Sequence, residues 1–164
     1  MIILGSSQRD EPYTWLYSSP TTPKLMAQTT VHLRTLQAAS SAVGWSGTHA
    51  ITIDRSEEAG GLGIGFNGGE LLLLAIGGCY LNDVYREAAK RGIGVRSVQV
   101  AVEADWGGDP IRAQNISFSV KVEAAAPSEA IAELIKDTDV VAEIPNSLRL
   151  GTQVSLVKFE AIPV

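Results

Sequence analysis

The feature that most constrains this fold is a proline-free segment that covers residues 70–91. Glu70 in its first turn and Lys90 in its last turn place charges where a helix dipole favours them. Gly92 follows, and glycine is favoured just after a helix end because it adopts a left-handed backbone without strain. The first part, residues 71–76, is apolar on every side, which is typical of a helix that is buried all round. The segment therefore predicts one long, central helix.

Alternation of apolar and polar residues predicts strands on both sides of this helix. Two strands are expected at 29–36 and 49–54, with 40–47 as a turn region between them, so that they form a hairpin. After the helix we expect strands at 95–104 and 116–122, a second helix from Ser128 to Pro145, and a final strand through Val154, Leu156 and Phe159. Mostly antiparallel strands with two segregated helices predict an α+β domain.

Residues 1–27 differ from the rest of the chain. They contain three prolines and many serines and threonines, and they show no sustained period. We therefore predict an atypical N-terminal extension over residues 1–27 and a single folded domain over residues 28–164, a length that suits one domain.

Charge and composition exclude several function classes. The 164 residues carry a formal net charge of −5, and both halves are acidic, so general nucleic-acid binding is not expected. The longest apolar run, residues 71–81, is too short to span a membrane, which needs about twenty residues. A single cysteine excludes an internal disulfide and, with only two histidines, a Cys/His zinc cage. We predict a cytoplasmic protein with neither a metal ion nor a cofactor.

Cys79 is the one residue with strong nucleophile chemistry, and its helix surrounds it with charge. On an ideal helix, Asp83 lies about 40° from Cys79 and Arg86 about 20° to the other side. Arg86 would favour the thiolate, Asp83 would oppose it, and the two could instead pair with each other at i,i+3. The alternative is that Cys79 is a small buried hydrophobe, as lone buried cysteines usually are.

The segment Gly63-Ile64-Gly65-Phe66-Asn67-Gly68 fits the dinucleotide pattern G-x-G-x-x-G and precedes a helix. A dinucleotide site also needs a strand immediately before the motif and an acidic residue about twenty positions on. A charged loop separates the preceding strand from the motif, and the next strand ends much further along the chain. A structural glycine loop is therefore favoured over a nucleotide site.

The stretch from Gly60-Gly61-Leu62-Gly63 to Glu70-Leu71-Leu72-Leu73-Leu74-Ala75-Ile76-Gly77-Gly78-Cys79 resembles the signature of the OsmC/Ohr family. Further on, Asn146-Ser147-Leu148 resembles part of the family's C-P-V-x-N-T-L segment. The resemblance covers roughly residues 29–164. It implies an antiparallel sheet wrapped on two long helices in an intertwined homodimer, with sites at the subunit interface. It also implies reduction of organic hydroperoxides by a reactive and a resolving cysteine, with a thiol reductant.

The chain departs from this family pattern at three of four functional positions. Cys79 matches the reactive cysteine, but the resolving position falls on Ala142. The glutamate that precedes the reactive cysteine by ten residues is replaced by Gly69, and Glu70 matches a family glutamate that we interpret as structural. The loop between residues 37 and 45 lacks the family's arginine.

Two functions remain open from the sequence. The first is a one-cysteine, thiol-dependent hydroperoxide reductase that acts through Cys79, supported by Asp83, Arg86 and Glu70. The second is a non-catalytic dimer that binds a small hydrophobic molecule in an apolar pocket at the subunit interface, lined by residues 71–76.

Overall fold

The structure is a computed structural model that describes residues 27–36 and 39–163. From Val31 onward these residues belong to one compact unit. The predicted extension, residues 1–27, lies outside the described residues except at its last position, so its boundary stays a prediction. The elements are β1 His32–Thr35, β2 Ala42–Ser46, β3 His49–Ile53, a 3₁₀ turn Glu57–Ala59, α1 Gly68–Lys90, β4 Gly94–Gly107, β5 Arg112–Ala125, α2 Ser128–Val141 and α3 Glu143–Arg149. The predicted α+β class is confirmed.

The first sheet has three antiparallel strands in the order β1-β2-β3. The prediction of a turn at 40–47 and of a hairpin between the two outer strands is wrong, because β2 lies between them and pairs with both. Gly44 obscured this strand, since glycine is weak in strand interiors. In the fold its missing side chain leaves room for Ile53, because a Cβ at Gly44 would lie 2.8 Å from Cδ1 of Ile53 and would force that side chain to move.

The glycine-rich loop between β3 and α1 is held down by a buried carboxylate. Asp54 Oδ2 accepts hydrogen bonds from the backbone N–H groups of Leu62, at 2.9 Å, and Ile64, at 3.3 Å. Burial opposes ionisation of Asp54, but the N–H groups that donate to it outweigh burial and lower its pKa. A Cβ at Gly65 would lie 2.6 Å from the carbonyl oxygen of Thr52, so only glycine lets the loop approach β3 this closely.

A reciprocal cap begins α1 and fixes where the loop ends. The backbone N–H of Glu70 donates to Asn67 Oδ1 at 3.0 Å, and the N–H of Asn67 donates to Glu70 Oε2 at 2.8 Å. This capping box satisfies two backbone donors that the first helical turn leaves free. The helix is as long as predicted, but residues 71–76 are not buried all round, since Leu74 is exposed in the single chain.

The second sheet is the antiparallel pair β4-β5, and its valines pack on α1. The core beneath these valines is a buried cluster of five side chains from α1, α2 and the residue after α2: Tyr80, Val84, Ala88, Leu134 and Ala142. The Tyr80 hydroxyl donates to the carbonyl oxygen of Ile135 at 2.6 Å and thereby ties α1 to α2. This core sets the position of the middle of α1, where Cys79 lies.

The chain after β5 differs from the prediction in two ways. The second helix ends at Val141, and Pro145 lies inside a separate short helix, α3, where proline in the first turn needs no hydrogen-bond donor. The prediction of a final strand through Val154, Leu156 and Phe159 is wrong, because residues 152–163 form no strand and Val154 is 97% exposed. Alternation shows that a segment can form a strand, but a strand also needs a neighbour to pair with.

Among the described residues, none of the helices is both long enough and apolar enough to cross a membrane.

Candidate functional site

Cys79 lies near the middle of α1 and is half-buried, so its thiol is not sealed in the apolar core. Gly77, two residues earlier, packs against β4, where an added Cβ would lie 3.2 Å from Cγ2 of Val102. A Cβ at Gly78 would meet no such neighbour, so only the first glycine of the pair packs closely on β4. The cysteine is therefore held on a rigid element rather than on a loop.

Three polar groups contact the sulfur of Cys79. The sulfur lies 3.7 Å from Asp83 Oδ2 and 3.6 Å from Glu143 Oε2, and the single thiol hydrogen is donated to one carboxylate at a time. The backbone N–H of Ile144 donates to the sulfur at 3.4 Å. Asp83 comes from the next turn of α1, whereas Glu143 and Ile144 come from the start of α3. The site is thus assembled where α3 packs against α1.

Arg86 joins the two carboxylates that contact the sulfur. Its Nη1 lies 2.7 Å from Asp83 Oδ1 and 3.1 Å from Glu143 Oε1. Its Nε also lies 3.2 Å from Glu87 Oε1, which Lys90 contacts at 2.8 Å. Arg86 therefore neutralises part of the negative charge beside Cys79 without being the nearest group to the sulfur.

The surroundings of Cys79 favour the protonated thiol. Burial raises the pKa of Cys79, and the charges of Asp83 and Glu143 raise it further, while the Ile144 N–H acts in the opposite direction. Burial also raises the pKa of Asp83, and the neighbouring Glu143 carboxylate adds to this effect while Arg86 opposes it. A thiol with a raised pKa reacts slowly unless a nearby group takes its proton.

Glu143 has the opposite electrostatic environment. Its own backbone N–H at the start of α3 lowers its pKa, although burial acts against this, and Arg86 lowers it further. The Glu143 carboxylate is therefore ionised at neutral pH, while its side chain remains 60% exposed.

The predicted site residues separate into two groups. The structure brings Cys79, Asp83 and Arg86 together. Asp83 and Arg86 form an i,i+3 ion pair, which is one of the two arrangements that the sequence left open. Glu70 lies in the cap at the start of α1, outside the contacts of the sulfur. Ala142 is fully buried at the junction of α2 and α3, and the two residues that follow it are the ones that contact Cys79.

Glu143 and the Ile144 N–H were missed by the sequence analysis. The signal that could have found them is the match of Ala142-Glu143-Ile144 to the family's C-P-V, since the resolving cysteine must reach the reactive one. A glutamate in place of the family's proline is the change that brings a carboxylate to the sulfur.

The same groups could in principle hold a metal ion. One ligand atom from each of Cys79, Asp83 and Glu143 lies within 4.8 Å of the others. The guanidinium of Arg86 already contacts both carboxylates and supplies positive charge there. The arrangement is therefore explained by the ion pairs alone, and no metal is inferred.

A family profile described as OsmC-like protein matches residues 60–157, which include the glycine loop, Cys79 and the start of α3. The chain belongs to the OsmC-like protein family. The predicted family is thereby confirmed. Curated protein sequences gave no match.

Solved structures of this family share the fold at low sequence identity. An OsmC-like protein from Mycoplasma pneumoniae superposes with a TM-score of 0.67 at 18% identity, covering 78% of this chain and 91% of that one. An organic hydroperoxide resistance protein OsmC from Legionella pneumophila gives 0.54 at 16% identity, covering 77% and 92%. An organic hydroperoxide resistance protein from Elizabethkingia anophelis, with thiocyanate bound, gives 0.55 at 14% identity, covering 79% and 92%. At such identities the likeness shows the fold alone.

Proposed function

We propose that this OsmC-like protein is a one-cysteine, thiol-dependent peroxidase that reduces a small organic hydroperoxide at Cys79. The observation that carries the proposal is the sulfur itself, which is half-buried and in contact with two carboxylates and a backbone N–H. A cysteine retained only for packing would have apolar neighbours instead. Family membership, and the names of two of the structural relatives, give further support.

The single cysteine determines how the cycle must close. Attack of the sulfur on the hydroperoxide yields an alcohol and a cysteine sulfenic acid. With Ala142 at the resolving position, a second cysteine of the same chain cannot form a disulfide. An external thiol condenses with the sulfenic acid and releases water, and a second thiol reduces the resulting mixed disulfide. A reducing compartment supplies such thiols, which supports the predicted cytoplasmic location.

The test is consumption of cumene hydroperoxide by the purified full chain. Without a reductant, we expect one equivalent to be consumed per chain, with a sulfenic acid that dimedone traps on the peptide containing Cys79. With dithiothreitol, consumption should become catalytic. Consumption no faster than with bovine serum albumin at the same thiol concentration would overturn the proposal.

A second candidate function rests on an apolar cavity of about 380 Å³ on the first sheet, lined by Val31, Leu33, Trp45, Ile51, Ile53 and Leu71. Its volume suits a small hydrophobic molecule, and its walls are mostly apolar, although His32, Ser46 and His49 also line it. Of residues 71–76, which were predicted to line such a pocket, Leu71 lines this cavity. A small molecule that stays bound in native mass spectrometry of the purified protein would favour this function over catalysis.

We further propose that the protein is a homodimer. Val31, Leu33 and Ile51 are exposed on the first sheet, and Val154, Leu156 and Phe159 are exposed after α3. A folded chain rarely leaves so many large apolar side chains in water, and a second copy that covers the sheet and pairs with the final segment would bury them. Light scattering after gel filtration should give twice the chain mass of 17.4 kDa. A monomer at micromolar concentration would contradict the proposal.

A further inference from the structure

We infer that Asp83 is the proton acceptor for the Cys79 thiol and returns this proton to the departing alkoxide. The inference rests on the proposed peroxidase function and deepens it by assigning an acid–base residue to the reaction. The chain lacks the family's glutamate and loop arginine at the positions that match them, so another group must accept and return the proton during hydroperoxide reduction. The contacts around the sulfur point to this aspartate.

The two oxygens of Asp83 face different partners. Oδ1 is held by Arg86 at 2.7 Å, whereas Oδ2 faces the Cys79 sulfur at 3.7 Å. Both residues lie on the same face of α1 one turn apart, so the helix fixes their separation. The Asp83 side chain is only 5% exposed, which limits proton exchange with bulk water during the reaction. An acceptor that contacts the reacting thiol and is shielded from water satisfies the geometric requirement for a general base.

Asp83 is a better acceptor than Glu143, although both carboxylates contact the sulfur. The Glu143 side chain is 60% exposed, and its charge is stabilised by its own N–H and by Arg86, so it binds a proton weakly. The Asp83 carboxyl is enclosed, and the negative charge of Glu143 beside it increases its proton affinity. Glu143 is therefore a positioning residue that raises the basicity of Asp83.

The charged groups that act on Asp83 come from two elements. Arg86 lies on α1 itself, and Glu143 lies on α3. Asp139 on α2 raises the pKa of Tyr80, which lies on α1 one turn before Val84. The β4 strand packs against this part of α1 with valines. Burial is the largest influence on the proton affinity of Asp83, and Glu143 and Arg86 act on it in opposite directions.

The step balances without any further reactant. Asp83 takes the thiol proton, and the sulfur electron pair forms a bond to the terminal oxygen of the hydroperoxide. The O–O bond breaks, its electron pair leaves on the alkoxide, and the alkoxide takes the proton from Asp83. The products are the sulfenic acid of Cys79, an alcohol and an ionised Asp83. The Ile144 N–H, which donates to the sulfur at 3.4 Å, stabilises the negative charge that develops there.

The test compares two reactions of the same thiol in Asp83→Asn. Alkylation by iodoacetamide releases iodide, which leaves without taking up a proton. Hydroperoxide reduction releases an alkoxide, which must take up a proton to become the alcohol. Without the Asp83 charge the thiol pKa falls, so we expect alkylation at pH 7 to become several-fold faster. Loss of the acid–base group should slow sulfenic acid formation with cumene hydroperoxide by about a hundredfold. Asp137→Asn, which removes another ion-paired carboxylate on α2, is the matched control and should change neither rate.

The role of Glu143 has a separate readout. In Glu143→Gln the proton affinity of Asp83 falls, so the acid limb of the pH–rate profile for hydroperoxide reduction should move to lower pH. Circular dichroism melting of each variant verifies that it is folded.

The possible outcomes separate the two proposals. If Asp83→Asn accelerates both reactions in parallel, Asp83 only suppresses the thiolate, and the inference is overturned while the peroxidase function stands. If the unaltered protein reduces no hydroperoxide although its thiol is alkylated, the proposed function is overturned and the inference with it. Opposite changes in the two rates support both.

Discussion

Cys79→Ser is expected to reduce hydroperoxide consumption to the rate of reductant in buffer alone. A serine hydroxyl is a far weaker nucleophile than a thiol at neutral pH, and it does not form a sulfenic acid. The substitution retains the size of the side chain and an oxygen that can accept from the Ile144 N–H, so we expect the variant to fold. The measurement is the initial rate of cumene hydroperoxide loss with dithiothreitol, with the melting temperature of the variant as the control for folding.

A chemical control separates the thiol from the rest of the side chain. The unaltered protein, alkylated to completion with iodoacetamide, should lose the same activity as Cys79→Ser. Activity in both preparations equal to that of the untreated protein would place the reaction elsewhere in the molecule and refute the role of Cys79.

Leu134→Ala is expected to destabilise the domain by about 2–5 kcal/mol, the range for emptying a leucine site in a packed core. Leu134 on α2 is fully buried and belongs to the cluster with Tyr80 and Val84, which joins α2 to α1. Removing its side chain leaves a cavity at the centre of this cluster. The free energy of unfolding should be measured by urea denaturation at one fixed protein concentration, because association would also stabilise the folded state.

Val140→Ala on the same helix is the matched control. Val140 is exposed, and shortening an exposed side chain usually changes the free energy of unfolding by less than about 0.5 kcal/mol. A loss below about 1 kcal/mol in Leu134→Ala, or equal losses in the two variants, would mean that the cluster is not the core of the domain.

Local signals in the sequence predicted the elements that depend on neighbouring residues. The charge placement and the missing prolines of residues 70–91 gave a helix whose observed bounds, Gly68–Lys90, differ by at most two residues at either end. Valines at alternate positions predicted β4, which is longer than expected because the β5 strand pairs with it along its whole length. For β4 and β5 this pattern of alternation was sufficient.

Two strand assignments were wrong, one because a local signal was missing and one because a pairing partner was missing. Gly44 made β2 resemble a turn, and only its packing against Ile53 explains why glycine belongs in that strand. The segment through Val154 has the alternation of a strand, yet in the single chain it has no strand to pair with among the described residues. A pattern of side chains does not contain the hydrogen-bonding partner, which comes from distant residues or from another copy.

The sequence by itself determined the family, the α+β class, the long helix and the position of Cys79 with Asp83 and Arg86 on its face. These follow from helical period and from a motif that is contiguous in the chain. Only the tertiary structure decided what the thiol contacts, because Glu143 and the Ile144 N–H reach Cys79 from more than sixty residues away. Their effect also depends on burial, which raises the pKa of both Cys79 and Asp83 and is a property of the packed chain rather than of its order of residues.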